Sequence, residues 1–267
     1  MKRPRSDYVI QTVRNAFRLL EAFQDAEEQG VTELSRKLDL HKNNVFRLLA
    51  TLEEAGYVEQ CTESDRYRLD VRCLELGQAY ARTRGLIQLS RPVLEGLARD
   101  CGESAHLGAI RNFEVVHLDG VQAAHLVQTG LRVGQSLPVH CTALGKVLVA
   151  CGPPEFLDHF EQEVLQAGPL PGPTPHTIVD PDKLREHLHG VASQGFALDV
   201  EECERGLCCA AAPVYEASGR LVGALSVSAP VFRLGGGALE RTAVPALVRA
   251  GDQLSRQLGF VPSQETP

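Results

Sequence analysis

No run of about 18 apolar residues occurs in the 267-residue chain, so nothing in it reads as a membrane-spanning helix. Its eight cysteines include no Cys-x-x-Cys pair, which disfavours a zinc ribbon or a thioredoxin-like site. With no apolar signal segment beside them, they point to a reduced, cytoplasmic protein. Common enzyme signatures are missing too. No serine sits in G-x-S-x-G, no G-x-G-x-x-G follows a strand, and Gly145-Lys146 lacks the glycine-rich lead of a Walker loop. Glu201 and Glu202 are adjacent, so on a strand they face opposite ways and make no acid/base pair. A hydrolase or dehydrogenase is thereby disfavoured, and no cofactor or metal is expected. His140, Cys141, Asp199 and Cys203 match no tight zinc-ligand spacing. No internal repeat is present, and no excess of basic charge: the net charge is −7.

That charge is unevenly divided. Residues 1–85 hold 14 Lys+Arg against 14 Asp+Glu, and the remainder 13 against 20, so the acidic excess lies wholly in the second part. Phosphate attraction is local, screened over about 8 Å at physiological salt, so a neutral head with basic patches remains able to bind nucleic acid. Lys2, Arg3 and Arg5 read either as an arm reaching DNA or as a disordered basic tail.

Val31–Leu69 carries the clearest signal. Val31, Leu34 and Leu38 give a short helix one buried side, with Thr32 as its expected N-cap. Asp39, Leu40 and His41 form a tight turn. Val45, Leu48, Leu49 and Leu52 then recur at i, i+3, i+4 and i+7, the apolar stripe of a second helix, and Gly56 stands where that helix should stop. Upstream, Val9, Val13, Phe17, Leu20 and Phe23 form the stripe of a first helix closing a three-helix core. Tyr57–Gln60 and Tyr67–Leu69 are strand-like runs around a polar loop. This is the order of a winged helix-turn-helix, whose second helix enters a DNA major groove. The candidate DNA contacts are His41 at the end of the turn, Lys42, Asn43, Asn44 and Arg47 on that helix, and Arg66 and Arg68 on the wing. The two wing arginines stand two apart on a strand, project from one side, and are hard to explain as packing. The competing reading is a three-helix bundle with an ordinary solvated face.

RLLATLEEAGYV, from Arg47 to Val58, preceded by the TELS helix, resembles the DNA-binding domain of the IclR family of bacterial transcription regulators. One departure stands out: Asn43-Asn44 replaces the family's common Ser-Thr. Asparagine bonds bidentately to adenine, so the operator preference should differ.

About two domains are expected from the length: a winged helix-turn-helix over 8–70, and an effector-binding domain over 71–260 that includes a linker helix, 71–85. Val71, Leu74, Gln78 and Ala81 mark one side of that helix, and Gly85 its end. In the family it packs against its counterpart in a dimer; from sequence alone, docking on its own domain fits equally. Strand-like runs follow at Ser104–Ile110, Val115–Leu118, His125–Val127, Phe196–Val200, Cys208–Tyr215 and Leu221–Val227. Helical periodicity marks Leu89–Asp100, Leu144–Ala150, Pro181–Gln194 and Ala238–Leu258. The expected fold is α+β, with helices on one side of a largely antiparallel sheet.

The resemblance continues through LPVHCTALGKVLVA (Leu137–Ala150), SQGFALDVEECERGLCCAAAPVY (Ser193–Tyr215) and GRLVGALSVSAP (Gly219–Pro230), and covers roughly residues 8–260. It implies a GAF-like effector-binding domain with a small-molecule pocket on one face of the sheet, at Ala143, Leu144, Asp199, Cys209, Ser226 and Ser228. The chemistry is coherent. Ser226 and Ser228 alternate by two, so their hydroxyls face the same way, and a helix N-terminus beside them suits a small carboxylate. Asp199 would repel a carboxylate unless protonated or engaged with a hydroxyl or keto group. Bland alternatives stand beside each: serines satisfying sheet-edge groups, Cys209 as a small apolar residue, Asp199, Glu201 and Glu202 as a solvated turn, Lys146 as a helix-surface charge. The resulting expectation is a cytoplasmic regulator, a repressor by preference, homodimeric or a dimer of dimers. Its partners are a double-stranded DNA operator and a small organic-acid or aromatic metabolite; no membrane is involved. The alternative is a ligand-sensing adaptor acting through protein contacts alone.

Overall fold

The computed structural model describes residues 8–83, 85–166 and 168–261; Lys2, Arg3 and Arg5 lie outside them. The chain divides into two compact units, meeting between Thr83 and Arg84.

The first unit contains α1 (Gln11–Glu21), a short 3-10 turn (Ala22–Asp25), α2 (Val31–Leu38), α3 (Lys42–Glu54), β1 (Val58–Gln60), β2 (Tyr67–Leu69) and α4 (Val71–Thr83). Leu34, Leu38, Val45, Leu48, Leu49 and Leu52 pack with Leu19, Ala22 and Phe23 into one core. The expected stripe holds only at its C-terminal end: Phe23 is in the core and Leu20 packs against it, whereas Val9, Val13 and Phe17 are exposed and Leu19, outside the stripe, is fully buried. This helix is apolar on two sides, and periodicity does not say which side its own domain uses. Thr32 is not the N-cap of α2. Gly30 takes that place, with its N–H donating to Glu33 Oε2 at 3.0 Å. The turn to α3 uses Asp39 in the left-handed conformation (φ 54°), and His41 Nδ1 caps α3 by accepting from Asn43 N–H. Gly56, at φ 77°, ends α3 as the sequence requires. β1 and β2 form the antiparallel wing, and Gln29 bridges to Tyr67 on its other edge.

The helix read as a linker groups with this first unit rather than with the second. Its first turn is tied down locally: Arg72 Nη1 donates to Ala55 O, and Cys73 Sγ to Tyr57 O. Val71, Leu74 and Leu76 remain exposed. Gly85 does not close a helix but opens the next one.

The second unit contains α5 (Gly85–Cys101), β3 (Ser104–Arg111), β4 (Glu114–Val121), β5 (Ser136–Pro138), α6 (Ala143–Ala150), α7 (Pro154–Phe160) with a wide turn to Leu165, α8 (Pro181–Gln194), β6 (Ala197–Val200), β7 (Leu207–Tyr215), β8 (Leu221–Pro230), the short α9 (Val231–Leu234) and α10 (Val244–Gln257). The six strands form one antiparallel sheet in the order β5-β4-β3-β8-β7-β6. Helices cover both faces, not one. On β7, Cys208, Ala210, Ala212 and Val214 join α5 and α10, whereas Cys209 and Ala211 join α6, α7 and α8. The strands are apolar on both sides and therefore need a layer on each. His125–Val127 is not a strand: Leu126 is fully exposed, and this stretch belongs to a loop between β4 and β5. The unexpected α7 begins at Pro154, whose fixed φ suits the first position of a helix. Gly145 allows α6 to fold back on the segment that leads into it from β5, since a Cβ there would lie 2.3 Å from Val139 Cα. No described helix is long and apolar enough to cross a membrane.

Candidate functional site

Two constellations emerge, one on each unit. On α3, Lys42, Asn43, Asn44 and Arg47 are all exposed. Among the described residues no hydrogen bond or ion pair occupies their side chains. His41 is partly committed, as the cap of the same helix. The wing arginines differ from expectation. Arg66 makes a bidentate pair with Glu33 (2.6 and 3.2 Å) and donates to Glu28 O, fastening the wing to the start of α2. Arg68 pairs at 2.6 Å with Glu59, its cross-strand neighbour. Packing within the domain thus does account for both arginines. Each pair is more than a third exposed and so screened by solvent, and neither blocks an exchange of carboxylate for phosphate.

On the second unit, strand register builds a pocket. Asp199, Cys209 and Ser228 are neighbours across β6, β7 and β8; one step along, Ser226 sits beside His106 on β3. Ala143 and Leu144, the first residues of α6, close one side. All six expected pocket positions line a single cavity of about 490 Å³, mouth included. Thr142 Oγ1 caps α6 by accepting from Gly145 N–H, and Cys209 Sγ donates to Ser228 Oγ at 3.2 Å.

Sequence reading missed four charged or titratable members: His106, His117, Arg132 and Cys203. The two imidazoles are buried, stand edge-to-face with centroids 5.5 Å apart, and leave Nδ1 unpartnered on each ring. Burial pushes both pKa values down to about 4, helped by Arg132 nearby, so both rings are neutral at pH 7. The His106 ring packs against Gly120, where a Cβ would lie 3.1 Å from its Nδ1. A histidine at an inward position of a strand was the available signal. Burial pushes the Asp199 carboxyl up to about 7, against the pull of the Glu202 N–H and Lys146. Arg132, on the 122–135 loop, pairs with Glu204 at 2.7 Å. The same loop is fastened by Thr129 Oγ1 to Ser228 O and by Ser104 Oγ to Thr129 O.

Lys146 is not a surface charge. It is fully buried, donating to Glu202 Oε1 at 2.5 Å and to Leu198 O at 2.6 Å. Every other residue from Ala143 to Val149 is buried as well, because α6 is sandwiched between the sheet and α8. Asp199 and Glu202 are buried too, so the acidic turn is not a solvated one. Asp199 Oδ1 accepts from Glu202 N–H (2.8 Å) and Cys203 N–H (3.3 Å), which links the pocket wall to the buried ion pair. His140 Nε2 is engaged with Pro171 O, and among the described residues no three His, Cys, Asp or Glu side chains converge on a metal position.

Residues 12–61 match the IclR helix-turn-helix domain, and residues 78–256 the bacterial transcriptional regulator IclR C-terminal domain. The chain belongs to the IclR family of transcription regulators. It is 34% identical over 254 residues to the HTH-type transcriptional regulator XynR of Escherichia coli, covering 94% of this chain and 98% of that protein. The transcriptional repressor IclR of Escherichia coli is 27% identical over 230 residues, covering 84% and 82%. Among solved structures, an IclR homologue from Microbacterium hydrocarbonoxydans in complex with 4-hydroxybenzoate superposes with a TM-score of 0.80 at 25% identity, covering 92% of this chain and 98% of that one. These relatives are regulators, not enzymes. The IclR assignment joins the two constellations: a DNA-reading head and a pocketed second domain on one chain.

Proposed function

We propose that this IclR-family regulator is a cytoplasmic repressor whose operator affinity is modulated by a small organic acid or aromatic metabolite held in the β6–β7–β8 cavity. The observation that carries this reading is the convergence of Ala143, Leu144, Asp199, Cys209, Ser226 and Ser228 on one cavity. The ligand bound by the Microbacterium homologue, a hydroxylated aromatic acid, and the name of the Escherichia coli repressor support the ligand class and the sign of regulation. The regulator works as a homodimer or a dimer of dimers. Tyr8, Val9, Ile10, Val13 and Phe17 on and before α1, and Val71, Leu74 and Leu76 on α4, are apolar faces left bare in the single chain. A two-fold pair of α3 helices then reads two half-sites. Effector binding shifts the population toward an arrangement with different spacing of those helices, which requires the two arrangements to bind effector unequally.

Sequencing the genomic fragments retained by the purified protein tests the reading. Enrichment of discrete fragments that is lost as salt rises is the expected result; no enrichment would favour the adaptor alternative. The pathway encoded beside those fragments nominates the effector. With that effector in hand, Ser226→Ala combined with Ser228→Ala should weaken its effect about tenfold or more while leaving effector-free DNA binding intact. Loss of DNA binding in the effector-free double variant would contradict the division of labour.

Asp199 supplies a pH signature. Its carboxyl titrates near 7, ionised above and neutral below. An anionic effector meets a like charge above that value and none below it. Its affinity is therefore expected to rise as pH falls from 8 to 6, by at most about tenfold per pH unit. Titration calorimetry of Asp199→Asn should show that slope flattened; an unchanged slope would take Asp199 out of the contact.

A further inference from the structure

The DNA-reading face of α3 contains one residue that does not belong on a solvated surface. Phe46 is 54% exposed, takes no part in the core of its domain, and meets no other ring among the described residues. It lies four residues after Lys42, in the row beside Asn43 and Arg47, so these four side chains form one patch on the N-terminal half of the helix. That half supplies base contacts in helix-turn-helix proteins. The first turn of α3 carries no acidic residue, and Lys42 and Arg47 flank the ring. An apolar partner protein would have to desolvate both cations, whereas DNA offers phosphates to the cations and one apolar group to the ring. In the major groove that group is the C5-methyl of thymine, the one methyl group that the base edges present there.

We propose that Phe46 is a specificity-determining residue that packs on a thymine methyl in each operator half-site, beside the polar readout by Asn43 and Arg47. The proposal rests on the DNA-binding reading given above. It adds a second mark by which the helix distinguishes A·T from T·A: asparagine marks the adenine, and the ring marks the methyl on a neighbouring thymine.

The test uses full-length protein and an operator selected by it from random duplexes. Each thymine is replaced in turn by deoxyuridine, which deletes the methyl and leaves the hydrogen-bonding pattern unchanged. Wild-type protein should lose about fourfold in affinity at one thymine per half-site, the effect of one buried methyl group. Phe46→Ala should be indifferent to uracil at that position, and Phe46→Leu, which keeps an apolar contact, should retain the sensitivity. Retention of the full uracil effect by Phe46→Ala, or indifference of the wild type at every thymine, would overturn the proposal. So would a change in sedimentation of Phe46→Ala, which would assign the ring to an interface between copies. Failure to select any duplex would instead bring down the DNA-binding reading itself. Phe46 is exposed, so the melting temperature of both variants should match that of wild type.

Discussion

Lys146→Met is expected to destabilise the second unit by about 3–5 kcal/mol, the usual consequence of removing one partner from a buried ion pair. The loss arises from what remains more than from what is removed. Lys146 is fully buried and donates to Glu202 and to Leu198 O. Without it Glu202 keeps a carboxyl whose Oε2 is already unpartnered and whose pKa burial pushes up. The measurement is thermal unfolding of the full chain, where a drop of roughly 10 °C corresponds to that free energy in a domain of this size. Lys146→Met combined with Glu202→Met should recover much of the loss, because a well-packed apolar pair of similar volume can replace a buried ion pair at little cost. A single variant that melts with wild type would show the pair to be energetically idle. Because Glu202 N–H holds Asp199, the single variant should also blunt the effector response at temperatures where it is still folded.

Arg47→Ala is expected to abolish specific operator binding while leaving the fold unchanged. The side chain is exposed at the centre of the DNA-reading face, in one row with Asn43. A bidentate arginine–guanine contact discriminates by about 1–3 kcal/mol per half-site, and a two-fold protein loses it twice. Competition binding against non-specific duplex separates the outcomes. A loss confined to the selected operator assigns base readout to Arg47, and an equal loss on both duplexes assigns it to phosphate. Unchanged affinity for the operator removes it from the interface. Arg66→Ala and Arg68→Ala serve as the comparison, since Arg66 is already paired with Glu33 of α2 and Arg68 with Glu59 of the wing.

The head of the molecule was legible in sequence because its elements are local. The 3.6-residue period of Val45, Leu48, Leu49 and Leu52, the stop at Gly56 and the polar wing loop each sit within a few residues of what they specify. The first helix was misread for the opposite reason. Its Val9–Val13–Phe17 stripe is as apolar as a core stripe, yet it faces away from its own domain. In the second unit the strands could be found but not the layering. The same alternation that serves one buried face and one solvated face also serves two buried faces when the intervening residues are Ala, Cys and Ser. The six expected pocket positions converge because they fall on matching registers of adjacent strands. His106, His117 and Arg132 escaped because a lone histidine or arginine carries no signal until the sheet places it at a cavity. Lys146 escaped because charge is ordinarily a mark of exposure; the helix around it, apolar on every side, was the contrary sign.

The loop from residue 122 to residue 135 bears on time more than on affinity. It contributes Thr129, Gly130 and Arg132 to the cavity lining and is held down at Ser228, Ser104 and Glu204. In the proposed effector switch, a metabolite passing beneath this loop waits for those fastenings to let go, and loop opening of this kind runs on a microsecond-to-millisecond scale. The exchange rate is then a property of the fastenings and not of the metabolite. Two effectors of different strength would then be released through the same opening step, at rates closer together than their affinities.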